Sequence, residues 1–316
     1  MQQDNLIGVY KNSALDVPLN KISGAKMKRD NNKIIRDIKS HIGITTLRIC
    51  IFLSIVFLFM FLAMIFVKGY KVLSWDFIVK FPEEHMTMGG IFPAIVGSLY
   101  LTVFSIIFAL PLGVFAAVYL NEYAKPAWLV RIIRLAINTL AGVPSIVFGL
   151  FGLAVFVVVL KFGVSILSGA CTLAILILPV IINSSEEAIK VVPKEFREAS
   201  LALGATKRET ILKIVLPTAL PSILTGAILS VGRAAGETAP IIFTAATFYS
   251  MKLPNSIIEE CMALPFHIYA LMTEGTHPDF QRPIAYGTSI VLLMLVLLIN
   301  IFAIIIRYQM RRNKKW

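Results

Sequence analysis

The chain has 316 residues, of which 57% are hydrophobic and only 15% are charged. Soluble domains have roughly 45–50% apolar and about 25% charged residues, so this composition excludes a disordered chain and argues against an ordinary soluble enzyme. In a soluble protein the net charge of +12 would favour nucleic acid as a partner, but membrane proteins collect Lys and Arg on their cytoplasmic side. We therefore expect a membrane protein that binds no nucleic acid.

Six apolar runs are each long enough to cross a hydrocarbon core roughly 30 Å thick as a helix. The first follows a polar tail, residues 1–48, that is either flexible or lies on lipid headgroups, and a basic tail, 308–316, ends the chain. The sequence thus predicts an all-α polytopic membrane protein with six transmembrane helices, five of them in one domain over 91–307. The predicted spans are 49–67, 91–120, 135–160, 162–182, 221–248 and 284–306.

Lysine and arginine are distributed unequally over the predicted loops. Nine lie in the N-terminal tail, three after the second span, six after the fourth and five at the C-terminus, so 23 of the 30 fall on one side. Because cytoplasmic loops carry the excess of positive charge, both termini are expected in the cytoplasm. The loop between the third and fourth spans is very short, and one broken helix is an alternative to two spans there.

The connection between the fourth and fifth spans, residues 183–221, alternates in charge at helical spacing. Pro193 is suited to open a helix, where its missing N–H costs nothing, and Gly204 lies where a helix C-cap is expected. Leu216-Pro217 is expected to end a second helical piece, because proline disfavours helix in the residue before it. The loop is therefore predicted to form two short helices with a glycine corner and an outward apolar patch.

The same loop carries a spaced motif, which is Glu198-Ala199-Ser200, then Gly204, Ile214 and Leu216-Pro217. This motif resembles the EAA loop of ABC importer permeases, in which Glu-Ala-Ala is followed at the same spacing by Gly, Ile and Leu-Pro. Ser200 is the one departure, and it replaces alanine by another small residue. The resemblance implies a type I ABC importer permease (MetI-like) fold, in which residues 194–217 dock as the coupling loop in a cleft of an ATPase subunit. An amphipathic helix lying on the bilayer is the alternative.

The fifth predicted span contains two charges, in the run Gly-Arg-Ala-Ala-Gly-Glu-Thr-Ala-Pro at residues 232–240. A charge near the bilayer centre costs about 3 kcal/mol, so such side chains face a pore or a partner. Arg233 and Glu237 are four residues apart and can pair on one helix face, while Gly232 and Gly236 form a small-xxx-small pattern that admits another helix. Two interpretations stay open: a structural ion pair, and an anion pathway in which the guanidinium binds a phosphate-type oxyanion.

Residues 232–240, together with residues 140–152 of the third span, are similar to the phosphate permeases of ABC importers. The resemblance implies an ATP-driven importer of inorganic phosphate in a bacterial cytoplasmic (inner) membrane, with Arg233, Glu237 and Thr238 on the substrate pathway. It implies four kinds of contact: a second permease subunit, two ATPase subunits, an extracytoplasmic phosphate-binding protein and membrane lipid. Since hydrogen phosphate keeps a proton that it can donate to a carboxylate, Glu237 is also a candidate for discrimination against sulfate.

Pro144, with Gly142 two residues before it, predicts a bend in the third span. One interpretation of this bend is a packing irregularity, which is common in membrane helices. The other is a hinge for alternating access of the pathway to the two sides of the membrane.

The sequence contains no Gly-Lys dipeptide, so it lacks the phosphate-binding loop of P-loop ATPases. ATP is therefore expected on partner ATPase subunits, and this chain is expected to be neither an enzyme nor the holder of a cofactor. The cysteines and histidines show no spacing typical of metal ligands, and no metal site is expected. They are Cys50, Cys171, Cys261, His41, His85, His267 and His277.

Three other functions remain as alternatives. A permease for another oxyanion or small solute in an ABC importer would keep the EAA-like loop but would not favour the Arg233–Glu237 pair. An ATP-independent secondary transporter or channel needs no ATPase, and the EAA-like loop argues against it. A sensor or assembly protein that transports nothing would tolerate the spans but gives no reason for charges inside the membrane.

Overall fold

The computed structural model of the protein describes residues 19–83, 86, 88–124, 128–250 and 252–312. The chain divides into two compact units, residues 1–63 and 64–316, and each is described by itself. The helices are α1 Leu19–Gly69, α2 Trp75–Val79, α3 Phe92–Val118, α4 Trp128–Leu140, α5 Ser145–Gly152, α6 Ile166–Lys190, α7 Lys194–Ala202, α8 Lys207–Thr210, α9 Leu216–Gly236, α10 Ala239–Ile242, α11 Leu264–Thr273 and α12 Pro278–Arg312. Strands β1 Pro82–Glu83 and β2 Met88–Gly89 form a short antiparallel hairpin. A 3₁₀ turn, Tyr70–Val72, follows α1, and π-helical turns follow α3, α5 and α8 at Tyr119–Tyr123, Leu153–Val159 and Ile211–Val215.

Helix α1 begins earlier than the predicted first span. It is helical from Leu19 and so includes residues 19–48 of the predicted polar tail, whose residues 1–18 lie outside the described part of the chain. The helix continues because residues 19–48 contain no proline and only two glycines. Every residue from 39 to 62 is exposed within this chain, as suits a helix whose apolar side chains meet lipid.

Within the described residues, five helices are long and apolar enough to cross a membrane, and α4 with α5 gives a sixth if that bent pair is one span. The predicted all-α class with six spans is therefore confirmed. The predicted third span, 135–160, is not one straight helix, because α4 and α5 meet at 103°. Pro144 directly precedes α5 in an extended conformation with ψ 139°, since its ring cannot continue α4.

The fifth span also differs from the prediction. Its helix runs from Lys207 to Gly236, so the predicted limits of 221 and 248 are both wrong. Leu216-Pro217 does not end a helix, because the π-helical turn before it lets the Leu216 N–H reach the carbonyl of Ile211, five residues back. This wider turn accommodates Pro217, which has no N–H to donate.

Helix α6 is the most buried of the candidate spans and packs against α3 and α9. Small residues allow this close packing: a Cβ added to Gly113 of α3 would lie 2.5 Å from Ile181 Cγ2 of α6. A buried apolar cluster joins the ends of α3, α6 and α8–α9, and thereby holds the base of the loop that contains α7. Its members are Ala117, Val118, Ala188, Ile189, Val192, Ile211, Val215, Ala219 and Ile223.

A second apolar cluster lies around α2, the hairpin and α11, where Phe77, Met86, Met262 and Leu264 are buried together. Helix α11 has only ten residues and is too short to span a bilayer. These short elements therefore form a cap beside the first turns of α3 and α12. They complete the second unit at the end away from α7.

Candidate functional site

The loop between α6 and α9 has the glycine corner that the sequence predicts. Pro193 precedes α7, and Gly204 follows it with φ +83°, in the left-handed region. The N–H of Gly204 donates to the carbonyl of Leu201, and the N–H of Ala205 to that of Ser200. Glycine suits this position because a side chain in the left-handed conformation costs about 1 kcal/mol.

Ser200, the one departure from the EAA pattern, is buried in the corner. Its Oγ lies 2.9 Å from Thr210 Oγ1 of α8, so the hydroxyl pair fastens α7 to α8. The sequence analysis missed a second interaction that stabilises this corner, the capping box of α8. In it, Thr206 Oγ1 accepts from the N–H of Glu209, and the Glu209 carboxylate accepts from the N–H of Thr206. Its signal, threonine followed three residues later by glutamate, is readable in the sequence.

The outer surface of the coupling loop is apolar and open. Leu203 is 89% exposed, and Ala199 is also exposed on α7. Between α7 and the start of α9 lies a cavity of about 360 Å³, to which Phe196, Ile214 and Pro217 also contribute. Four motif residues therefore line one apolar recess, namely Ala199, Ser200, Ile214 and Pro217, while the Glu198 side chain stays exposed beside a separate polar recess of about 400 Å³.

Arg233 and Glu237 form an ion pair, with Arg233 Nε 3.5 Å from Glu237 Oε1. The expectation that both lie on one helix is wrong, because α9 ends at Gly236 and Glu237 is the first extended residue after it, with ψ 132°. Arg233 consequently lies in the last turn of α9 and not at mid-helix. A cation there also stabilises the negative end of the helix dipole.

One face of α9 is open within this chain. Leu229, Arg233 and Gly236 are spaced four and three residues apart, and all three are exposed. A Cβ added to Gly236 would meet nothing within 4 Å, and one added to Gly232 only ordinary contacts with Asn300 and Val296. The close helix approach expected at these two glycines is therefore absent from the described residues. An arginine whose side chain is 37% exposed on a membrane helix needs water or another chain beside it.

The two stretches that the sequence singles out in the third and fifth spans contact each other. A Cβ on Gly149 of α5 would lie 2.9 Å from the carbonyl oxygen of Ala239 and 3.1 Å from Pro240 Cα. The carbonyl of Thr238 accepts the N–H groups of Ile241 and Ile242 and so begins α10 at this contact. The bent α4–α5 pair and the segment that follows the ion pair therefore pack directly on each other.

Glu237 also borders a small, half-open space between α9 and α3. This space of about 10 Å³ has a mostly apolar lining, in which Ser98 and Thr102 of α3 and Glu237 are the polar residues. Its volume suits about one water molecule. The carboxylate thus lies between a guanidinium on the open face of α9 and a water-sized space beside α3.

Pro144 and Gly142 lie at the bend between α4 and α5, as the sequence predicts. Gly142 is inside a tight turn, where its N–H donates to the carbonyl of Thr139. Beyond this turn, Asn138 Oδ1 of α4 accepts from Asn183 Nδ2 of α6 at 3.0 Å. Whether the bend moves stays a prediction.

The sequence analysis missed an ion cluster between α4 and α6, in which two partly exposed cations surround the buried carboxylate of Glu186. Arg134 Nη2 lies 2.7 Å from Glu186 Oε1, and Lys190 Nζ lies 3.2 Å from the same atom. Arg134 also donates to the carbonyl of Leu120 at the end of α3. No local pattern reveals the Arg134–Glu186 pair, because 52 residues separate the two partners in the chain.

Comparison with known proteins adds a family and relatives to this geometry. Residues 109–315 match the family described as "Binding-protein-dependent transport system inner membrane component". The chain is 37% identical to the probable ABC transporter permease protein YqgI of Bacillus subtilis, over 76% of this chain and 85% of that protein. It is 40% identical to the phosphate transport system permease protein PstA of Mycobacterium leprae, over 73% of this chain and 74% of that protein. Among solved structures, the inward-facing MetNI methionine ABC transporter has a similar fold, with a TM-score of 0.56 and 20% identity over 69% of this chain and 94% of that chain.

Proposed function

Because the chain belongs to the family of binding-protein-dependent transport system inner membrane components, as its motifs predicted, we propose that it is the permease subunit of an ATP-driven importer of inorganic phosphate. It is a multi-pass inner membrane protein and, as a permease, not itself an enzyme. The phosphate specificity is inferred from a relative named as a phosphate transport system permease. The observation that carries the proposal is the Arg233–Glu237 ion pair on an open face of a membrane helix.

The proposed pathway passes along the face of α9 that carries Arg233. The guanidinium offers a rigid fork of donors to two phosphate oxygens, while Glu237 balances the charge when no anion is bound. Thr238 lies next to the pair and supplies a hydroxyl on the same segment. Gly142 and Pro144 are the proposed hinge, because the bent α4–α5 pair packs through Gly149 on the residues that follow Thr238.

Two surfaces that this chain leaves open are the proposed contact sites of other subunits. A second, PstC-like permease subunit covers the exposed face of α9 and encloses the pathway. Two PstB-like ATPase subunits hydrolyse ATP, and one of them binds the coupling loop, residues 194–217, at its apolar recess. A PstS-like extracytoplasmic protein delivers phosphate, and lipid surrounds the remaining spans. The distribution of Lys and Arg supports a location of both termini and of the coupling loop in the cytoplasm.

In the proposed cycle, closure of the ATPase pair on ATP displaces the docked coupling loop, and the spans change from inward to outward opening. Phosphate then enters from the binding protein and leaves to the cytoplasm when the spans return. Each access change requires two arrangements of the whole complex, for which ATP and phosphate have different affinities. The open recess at α7 and the bend at Pro144 are the proposed places where the two arrangements differ.

Uptake of labelled phosphate into vesicles that contain the whole complex tests this function. We expect accumulation that requires ATP and that excess sulfate does not inhibit. Inhibition by sulfate would contradict phosphate specificity and indicate a permease for a broader class of oxyanions. Uptake without ATP would contradict the ABC importer and return a secondary transporter to consideration.

A further inference from the structure

The end of α3 is bound to the coupling loop through a shielded ion pair. Arg197 of α7 donates from Nη2 and Nε to Glu122 Oε1, at 3.0 and 3.2 Å. The two side chains are only 19% and 11% exposed, although they lie at the rim of the second unit. Glu122 belongs to the π-helical turn Tyr119–Tyr123 that ends α3 and lies 75 residues before Arg197.

Arg197 also satisfies the last carbonyl groups of α6. Its Nη1 donates to the carbonyl of Val192 at 2.6 Å, and its Nη2 to the carbonyl of Ile189 at 2.9 Å. A guanidinium has five donors in a rigid plane, so one side chain can fix three chain segments relative to each other. Arg197 therefore ties α7 to the ends of both α3 and α6.

The other side of the coupling loop holds the same turn of α3. Lys207, the first residue of α8, donates from Nζ to the carbonyl of Glu122. Its ammonium also lies 5.0 Å from the centre of the Tyr123 ring, within the range of a cation–π interaction. The turn Tyr119–Tyr123 is consequently held by both helices that flank the glycine corner.

These contacts lie apart from the surface proposed to receive the ATPase subunit. Leu203 and Ala199 are exposed beside the apolar recess, whereas Arg197 faces α3 and α6. Arg197 and Glu122 instead line the separate polar recess beside Glu198, where they can determine which helices move when the docking surface is displaced. Shielding strengthens the attraction between the two charges relative to an exposed pair.

We propose that Glu122 and Arg197 are positioning residues that form a latch, defined as this ion pair, through which displacement of α7 moves α3. The inference rests on the proposed function, since it requires an ATPase subunit that displaces α7. Without the latch, α7 still binds the ATPase and ATP is still hydrolysed, but α3 follows α7 less closely, because only the Lys207 contacts and apolar packing still join α3 to the loop. The specific consequence is a loss of phosphate transported per ATP hydrolysed.

The test compares the whole complex containing the natural chain with one containing Glu122→Gln, reconstituted in vesicles. The glutamine keeps the size of the side chain but removes the charge. We expect the ATPase subunits to remain bound, ATP hydrolysis to stay within about twofold, and the ratio of phosphate imported to ATP hydrolysed to fall about tenfold. Arg197→Lys keeps the charge but loses the planar fork, and we expect an intermediate ratio.

The matched control is Asp76→Asn, which removes the exposed ion pair with Lys80 at α2, away from the coupling loop and from the proposed pathway. This variant should leave the ratio unchanged. An unchanged ratio in Glu122→Gln, or loss of the ATPase subunits from it, would overturn the latch. If the Glu122→Gln chain does not fold, an unchanged ratio in Arg197→Lys would overturn the latch. Absence of ATP-dependent uptake by the natural complex would instead contradict the proposed function itself.

Discussion

Individual residues of the coupling loop are explained by backbone conformation and by buried hydroxyl pairs. Gly204 has a φ of +83°, and Ser200 bonds to Thr210 across the corner that Gly204 makes. Serine therefore does more than replace the alanine of the EAA pattern, because its hydroxyl also joins α7 to α8. The motif residues therefore determine the conformation of the loop as well as its exposed apolar surface.

Gly204→Ala should destabilise the loop by about 1 kcal/mol, because alanine is strained in the left-handed conformation. The added methyl group itself meets nothing within 4 Å, so strain and not a clash is the expected cause. Thermal unfolding of the purified complex measures the loss, and Gly204→Asn should lose less. Gly43→Ala in α1 is the control, since its Cβ also has open space but its φ is not left-handed. Equal stability of the two alanine variants would contradict the strain.

His267 in α11 makes the stability of the cap depend on pH. Burial lowers the pKa of this imidazole to about 4, from an ordinary value near 6.5. As the pH falls below 6.5 the unfolded chain binds a proton that the folded chain does not, so stability decreases between pH 6.5 and 4 and is unaffected above. Between pH 7 and pH 5 the expected loss is about 2 kcal/mol. Melting temperatures in detergent should show it, and His267→Gln should remove that part of the pH dependence. An unchanged pH dependence in the variant would mean that His267 is not responsible.

Glu237→Gln tests the discrimination between phosphate and sulfate. Hydrogen phosphate can donate its proton to a carboxylate, whereas sulfate at neutral pH has none to donate. The amide has one acceptor in place of two charged oxygens, so we expect a weaker preference for phosphate in competition uptake. Normal assembly with unchanged selectivity would show that the external binding protein alone makes the distinction.

At the scale of elements, the contact between α5 and α10 joins two motifs that the sequence shows separately. Gly149 brings α5 against the backbone of Ala239 and Pro240, directly after the ion-pair segment. A movement at the Pro144 bend therefore reaches the Arg233–Glu237 pair through one layer of packing. The α4–α5 pair is in this sense the element most directly placed to move the pathway.

Gly149→Val should displace α5, since its Cβ would come 2.9 Å from the Ala239 carbonyl oxygen and backbone cannot yield cheaply. Overpacking of this kind costs about 1–3 kcal/mol, and phosphate uptake should fall together with the melting temperature. Gly43→Val in α1 is the matched control, because nothing lies within 4 Å of the new Cβ there. Equal behaviour of both variants would contradict a tight α5–α10 contact.

The sequence predicts the apolar elements well and their ends poorly. Apolar length shows which segments can cross a bilayer. It does not show that the helix continues through Pro217, which a π-helical turn permits, or that it stops at Gly236, after which Glu237 is extended. Local signals revealed the Gly204 corner. Contacts such as Glu122–Arg197 leave no periodic pattern, since the partners meet only after three spans have folded.

At the scale of the whole molecule, the open face of α9 is the feature that a single chain does not explain. Arg233 is partly exposed there, Gly236 has empty space beside it, and Leu229 projects outward. Lipid alone would be a costly neighbour for the guanidinium. A second permease subunit beside this face would fill the space next to Gly236. An anion pathway between the two chains would give the Arg233 guanidinium polar surroundings.

Chemical labelling at Gly236 tests most directly whether phosphate passes along this face. The variant Gly236→Cys would be made with Cys50→Ser, because Cys50 is exposed while Cys261 is buried and Cys171 partly buried. The complex in vesicles is then treated with an anionic, membrane-impermeant thiosulfonate, and both labelling and phosphate uptake are followed. We expect the introduced thiol to react, phosphate but not sulfate to slow the reaction, and labelled complexes to stop importing phosphate. Reaction with lipid-soluble reagents alone, or uptake that survives complete labelling, would contradict a phosphate pathway beside Arg233.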